Sequence, residues 1–326
     1  ELGAEPVVLE KGDRPGGSML LSSCVIWRYH SLEAFQEECP RGDPALQRVI
    51  VEGLDEAIEW LESLGAPVVE HQTGNPRTLG KRFDPSGLTG TLLRVIGDDS
   101  VRLLERGQTP LQKADILSTG GFPVRLARER GLLLRANRWS EGDGLDFAVA
   151  RGGQTTGDLG EFYGRSMPAV EHIEERDYVR LAQLYGRFAE VEAHDRSVRF
   201  EGELDWSETN LVQAIAGWPD GLAWYFVERS VLPQKVREKT VGEMIEAARA
   251  AGAPVEDDDG RIAVLVRPGV TQTLGGLRID EQARVVGTDG LYAAGADVGG
   301  ISNGGWSSGL AAALVFGRIA AEEALS

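Results

Sequence analysis

The stretch Gly290-Leu291-Tyr292-Ala293-Ala294-Gly295-Ala296-Asp297, followed by Gly299-Gly300, by Gly304-Gly305-Trp306-Ser307-Ser308-Gly309 and by the apolar run Leu310–Ala324, decides how this chain reads. A short apolar strand leads into a glycine-dense turn, and small residues then open an amphipathic helix. Glycine lets backbone approach a flat anionic ligand, and a helix N-terminus points free N–H groups at it. Near the other end, Val7-Val8-Leu9-Glu10-Lys11 has the form of a core strand that ends in an acid. Such an acid can accept hydrogen bonds from both hydroxyls of an adenosine ribose. Taken alone, Glu10 reads equally well as an exposed strand-end carboxylate in a surface pair. Together the two ends suggest a large nucleotide cofactor gripped by distant parts of the chain.

The bulk composition sets the frame. A chain of 326 residues is long enough for one large α/β domain with an insertion, or for two domains. With 42% hydrophobic and 26% charged residues it builds an ordinary core. Its 42 glycines cluster in pairs beside apolar segments, which marks tight turns and ligand contact rather than linkers. A net charge of −17 without a Lys/Arg run disfavours nucleic acid and anionic membrane surfaces as partners. No stretch reaches the ~18 apolar residues of a membrane span. Cys24 and Cys39 read as free thiols, which suits a reducing, cytoplasmic location. His30, His71, His172 and His194 show no metal spacing, and Asp257-Asp258-Asp259-Gly260 reads as a solvated hairpin turn, so no metal site is expected.

Along the chain, a helix end is expected at Glu1–Ala4 and a strand at Pro6–Leu9. Leu20–Trp27 reads as strand or buried loop. Helices are expected at Ser31–Glu38 and Pro44–Leu64; in the second, Leu46, Val49, Ile50, Leu54, Ile58 and Leu61 share one face. Gly74–Ser86 reads as a loop, Leu88–Ile96 as a helix and Ala114–Ser118 as a strand. Gly142-Asp143-Gly144 opens a helix over Leu145–Arg151. From about Ala169 glycine thins out, and an inserted domain is predicted over 169–264, with helices at Val179–Phe188, Trp206–Ala216 and Thr240–Ala251 and strands at Ala223–Val227 and Arg261–Val266. The cofactor domain is then discontinuous, 1–168 and 265–326. This order is an α/β, Rossmann-like core interrupted by an α+β cap domain, and such a core places its ligand at the carboxyl ends of parallel strands.

Gly16-Gly17-Ser18 adds backbone access and a hydroxyl beside the first strand. Isolated glycine pairs are ordinary turns; their joint occurrence with Leu9-Glu10-Lys11, Ser118-Thr119-Gly120-Gly121-Phe122, Gly142-Asp143-Gly144-Leu145, Thr273-Leu274-Gly275-Gly276-Leu277, Gly290–Gly295, Ser307-Ser308-Gly309-Leu310 and Val315-Phe316-Gly317-Arg318 is far more specific. In these segments the chain resembles the FAD-dependent fumarate reductase/succinate dehydrogenase flavoprotein superfamily, in particular the soluble branch that includes 3-ketosteroid dehydrogenases.

The resemblance implies a split FAD domain and a cap. It places Glu10 at the adenosine ribose and Gly16, Gly17 and Ser18 along the pyrophosphate and flavin, with Lys11 and Ser22 also among the cofactor-binding residues. Thr119, Gly120, Asp143, Gly295 and Asp297 fall about the rest of the cofactor, and Ser307, Ser308 and Leu310 at the flavin. There a helix N-terminus stabilises negative charge on the reduced ring. The family's opening strand and GxGxxG turn have no counterpart, because residue 1 falls within the helix that follows them, and Arg106–Lys113 is shorter than the family's hairpin. A truncated, flavin-free remnant acting as a binding protein is therefore the alternative reading. No histidine lies near Ser18–Ser23, so the FAD is expected to be non-covalent. Asp205–Thr209 carries no arginine and Val270–Thr273 no histidine, which argues against fumarate as substrate.

What remains is hydride transfer between flavin N5 and a small organic substrate, at a carbon–carbon bond, with an electron-transfer partner as a further expectation. Such chemistry needs an acid or base beside the reacting carbon. Tyr163 can move that proton and Arg165 can bind a carboxylate or polarise a carbonyl. The alternative is that Tyr163 packs a domain junction and Arg165 pairs with Glu161. Gly305–Gly309 matches a nucleophile elbow by letter, but no histidine follows it, so acyl transfer is poorly supported.

Overall fold

The computed structural model describes residues 3–103 and 115–326. The helix end expected at Glu1–Ala4 lies partly outside these residues, and Arg106–Lys113 lies wholly outside them. The chain forms two compact units: unit 1 holds 1–124, 137–161 and 272–326, and unit 2 holds 125–136 and 162–271. Segments 125–136, 162–168 and 265–271, assigned from sequence to the cofactor domain, thus fall in unit 2.

Strand β1 (Val8–Glu10) leads through a 3-10 turn at Gly17–Leu21 to β2 (Val25–Tyr29), and then to α1 (Leu32–Glu38) and α2 (Pro44–Ser63). β3 (Val68–Glu70), β4 (Thr78–Phe83), α3 (Pro85–Ile96) and β5 (Val101–Leu103) come after them. Next are β6 (Ile116–Leu117), α4 (Pro123–Arg130), β7 (Leu133–Leu134), α5 (Asp143–Val149) and β8 (Thr155–Thr156). Then come β9 (Phe162–Pro168), β10 (Ala189–Ala193), α6 (Thr209–Ala216), β11 (Ala223–Glu228), β12 (Lys235–Val236), β13 (Lys239–Thr240), α7 (Val241–Ala250), β14 (Val255–Asp258) and the long β15 (Arg261–Thr273). β16 (Gly276–Leu277), β17 (Tyr292–Ala293) and α8 (Gly309–Glu323) close the chain.

In unit 1, β1 pairs in parallel with β5, and β6 in parallel with β17, Tyr292 opposite Ile116. Parallel pairing of strands so far apart in sequence requires crossovers, the mark of an α/β core. Helix α2 begins at Asp43, whose side chain accepts from Ala45 N at 2.8 Å, with Pro44 as its first residue. Its stripe Leu46, Ile50, Leu54, Ile58 and Leu61 is buried, and α2 packs on α1, α8 and β2. Burying Leu54 fully is worth about 1.5–3 kcal/mol. Val49 lies at the edge of that stripe, while Gln47 is buried and its amide donates to the carbonyls of Cys39 and Ile301.

In unit 2, β10, β11, β15 and β14 form an antiparallel sheet in that order, with β7 and β9 also against β15. Alternation along β11 sends Ala223, Tyr225 and Val227 into a core shared with Leu211 and Ile215 of α6 and Met244 and Ile245 of α7, and sends Trp224 and Phe226 to the other face. Thr240 and Glu243 form a capping box that starts α7. The acidic turn between β14 and β15 has Asp259 and Gly260 at positive φ, as a tight hairpin needs.

Three expectations are corrected. Val179–Phe188 is not a helix: its one regular piece is a 3-10 turn at Gly186–Phe188. Leu181, Ala182 and Tyr185 are buried at helical spacing, but Gln183 N donates to Ser166 O, so no α-helix runs through them. The loop expected at Gly74–Ser86 contains β4, the central strand between β2 and β3. Helix α6 starts at Thr209 rather than Trp206, because Glu208 is left-handed at φ 57° and cannot continue a helix backwards.

Candidate cofactor and active site

Within unit 1 the ends of β1 and β6 meet on one segment, Asn137–Gly144. Ser18 Oγ accepts from Asn137 N at 3.2 Å, and Lys11 Nζ lies 2.7 Å from both the Glu141 and Asp143 carboxylates. These partners raise the Lys11 pKa against the opposing effect of burial, which is the largest single influence on it. Glu10 turns back so that Oε1 accepts from Gly12 N at 2.6 Å, and a Cβ on Gly12 would press on Trp139. From the β6 side, Thr119 Oγ1 accepts from Gly144 N at 3.1 Å, and a Cβ on Gly120 would collide with Ser140.

Asp297 fastens the C-terminal turn to the same place. Its carboxylate accepts from Thr119 N, from Thr119 Oγ1 at 2.8 Å and from Gly121 N at 3.1 Å. Burial pushes its pKa up despite these donors. Gly121, at φ 70°, is required here: a Cβ would meet both Ala296 O and Thr273 Oγ1 at 2.6 Å.

The final helix joins through Gly295, which approaches Ala313. Ser308 is the N-cap of α8, accepting from Ala311 N at 3.2 Å. Ser302 and Ser307 share a hydroxyl bond of 2.5 Å. A small cavity beside this end is lined by Gln272, Thr273, Gly295, Ser302, Ser307 and Gly309, among others. Glu161 braces the preceding loop, accepting from Arg41 Nη2, Asn303 Nδ2 and Gly304 N at 2.7–2.9 Å. The residues expected at a cofactor are thus brought together, with Leu310 in the first turn of α8. Ser22 is the exception: its hydroxyl is spent on Met19 O and Cys24 N. The sequence reading missed Asn137, Trp139, Ser140 and Glu141, although they immediately precede Gly142-Asp143-Gly144 and that adjacency was the available signal.

Unit 2 carries Tyr163 and Arg165 on β9, 8% and 6% exposed. Arg165 Nη1 donates to Ser207 O, and its guanidinium stands 5.1 Å from the Tyr163 ring centroid. Arg135 donates to Tyr178 O at 2.8 Å and to Thr271 Oγ1 at 2.7 Å. Burial, then Arg165 and Arg237, pulls the Arg135 pKa down to about 10, with Tyr163 opposing. Desolvation and Arg165 likewise lower that of Arg237. Among the described residues none of these three arginines closes an ion pair. Sequence reading picked out only Arg165, because Arg135 and Arg237 lie far away in the chain.

The chain belongs to the FAD binding domain family, which it matches over residues 99–309. Its fold is that of the fumarate reductase/succinate dehydrogenase flavoproteins. The open form of a flavocytochrome c3 fumarate reductase superposes with a TM-score of 0.70 at 19% identity, covering 99% of this chain and 74% of that one. A 3-ketosteroid-Δ4-(5α)-dehydrogenase from Rhodococcus jostii RHA1 superposes at 0.67 and 17% identity, covering 100% and 92%. An NADH:fumarate oxidoreductase of Klebsiella pneumoniae (strain 342) is 23% identical over 424 aligned positions, 99% of this chain and 45% of that protein. The chain therefore spans less than half the length of that curated relative.

FAD is the cofactor of this family, and the residues present fit it. Ser140 Oγ, Thr273 Oγ1 and Asn303 Oδ1 are buried without a hydrogen-bond partner among the described residues. Backbone free of side chains flanks the first two at Gly120 and Gly121. Buried polar atoms left open beside glycine cradles are what a polar ligand satisfies. Among the described residues no helix is long and apolar enough to cross a membrane.

Proposed function

We propose that this protein is an FAD-dependent oxidoreductase that transfers a hydride at a carbon–carbon bond of a small organic substrate carrying an anionic group. The observation that carries the anionic group is the buried guanidinium of Arg165 with the half-buried Arg135, whose hydrogen bonds all go to neutral oxygens. A buried cation without an ion-pair partner is costly, and an arriving carboxylate removes that cost. The relative named for fumarate supports the same class. Asp205–Thr209 offers no arginine; Asp205 is used to start α6, accepting from Thr209 N at 2.9 Å. A substrate other than fumarate is therefore favoured.

Glu10 and Lys11 hold the adenosine end of a non-covalent FAD, Gly16–Ser18 and Thr119–Gly121 lie along its phosphates, and the N-terminus of α8 serves its flavin. Asp143 and Asp297 act indirectly, by fixing Lys11 and Thr119. When bound, FAD supplies the hydride acceptor or donor. Arg165 and Arg135 grip and orient the anionic group, since guanidinium binds carboxylate in a fixed plane. Tyr163 moves the accompanying proton at its hydroxyl, on a ring held beside the Arg165 guanidinium. A separate electron-transfer partner completes the cycle.

The test uses FAD-loaded protein, reduced anaerobically and mixed with α,β-unsaturated acids and with the matching amides. The acids reoxidise the flavin and the amides do not. Equal rates with both, or no reoxidation by any acid, contradict the reading.

A further inference from the structure

Glu208 adjoins Arg165, and the role inferred for it rests on the reading that this arginine receives an anion. Glu208 is 4% exposed, and its backbone is left-handed at φ 57° and ψ 20°, a conformation unfavourable for any residue with a Cβ. It directly succeeds Ser207, whose carbonyl accepts the Arg165 guanidinium. A Cβ on Gly186 would lie 3.3 Å from Glu208 Cδ, so this turn closes directly onto the carboxyl. Oε1 nevertheless has no hydrogen-bond partner among the described residues, and neither does the buried hydroxyl of Tyr185.

The charged and titratable groups that face Glu208 are Arg165 from β9, Tyr185 and Arg187 about the 3-10 turn, Tyr225 from β11 and Arg237 between β12 and β13. Burial opposes charge on the carboxyl and outweighs the attraction of Arg165 and Arg187, holding it above the ordinary value of 4.5. A carboxyl in this position has two states with opposite consequences for a ligand. Ionised, it balances the guanidiniums from inside the protein. Neutral, it leaves them to an outside anion.

We propose that Glu208 competes internally with the anionic ligand of unit 2: as a carboxylate it weakens anion binding, and by taking one proton from solvent it frees Arg165 for the anion. Anion binding and proton uptake are then linked, and reciprocally so.

The probe is methanesulfonate, whose charge is constant across the relevant pH range, titrated into FAD-loaded protein by calorimetry. For wild type, affinity rises as pH falls through a window above 4.5, by up to about tenfold per pH unit for one linked proton. The binding heat varies with buffer ionisation enthalpy in that window, which reports the proton directly in unmodified protein. Glu208→Gln, neutral at every pH, binds at all pH values as wild type does at the acidic end. Binding by wild type with no pH dependence and no buffer-dependent heat overturns the role of Glu208 and leaves the anion site standing. The same slope in Glu208→Gln does so too. No binding by wild type at any pH overturns the anion site itself, and the role of Glu208 with it.

Discussion

Replacing Asp297 with Ala removes the acceptor that holds Thr119 and Gly121 against the C-terminal turn. The side chain is 1% exposed and receives two backbone N–H groups and one hydroxyl. The Thr119 hydroxyl can rotate to another acceptor, but the two N–H groups cannot. Each buried donor left unmade costs about 1–3 kcal/mol. Part of that loss is returned because the buried carboxylate is itself disfavoured, which leaves a net destabilisation of about 2–4 kcal/mol. For a unit of this size the melting temperature falls by roughly 4–16 °C, read by differential scanning calorimetry. Asp297→Asn keeps one acceptor oxygen and loses about half as much. The pH dependence has a definite sign. Burial raises the folded-state pKa above 3.8, so the folded chain binds the proton more tightly than the unfolded chain. The stability this contributes is fully present below 3.8 and is lost as pH rises through the folded value. The advantage of wild type over Asp297→Asn therefore shrinks with rising pH. An Ala variant that melts with wild type, or an advantage that grows with pH, would refute the assignment of Asp297 as a clamp.

Glu10→Ala weakens FAD affinity by about 1–3 kcal/mol through loss of a charge-assisted acceptor, measured by calorimetry; unchanged affinity removes Glu10 from the ribose. Tyr163→Phe retains FAD but slows flavin reduction by substrate, by about 10²–10⁴-fold if the hydroxyl is the acid or base, and equal rates in stopped flow exclude it.

The sequence exposed those parts of the fold that are written in local periodicity or local chemistry. The α2 stripe and the glycine-to-helix transition at α8 follow from spacing alone, and the Thr240 cap of α7 lies within a residue of the expected start. β4 stayed hidden because its core-facing residues are few. Lys81 and Arg82 pair with Glu62 and Glu70 on the outside, and Gly80 sits where a Cβ would strike the backbone of β2. Val179–Phe188 misled because tertiary burial of Leu181 and Tyr185 imitates a helical face. In the site, residue types that contact a ligand through backbone were legible as glycine pairs. Long-range contacts were not: nothing local reveals that Asn137 receives Ser18, that Asp297 reaches back to Thr119, or that Arg135 and Arg165 share one field.

Whether the glycine cradles and open polar atoms of unit 1 receive FAD is tested most directly by mixing the flavin-free protein with excess FAD and passing the mixture through gel filtration. A yellow protein peak carrying one flavin per chain is the expected result. A colourless protein peak, with all the flavin in the small-molecule fraction, would contradict it.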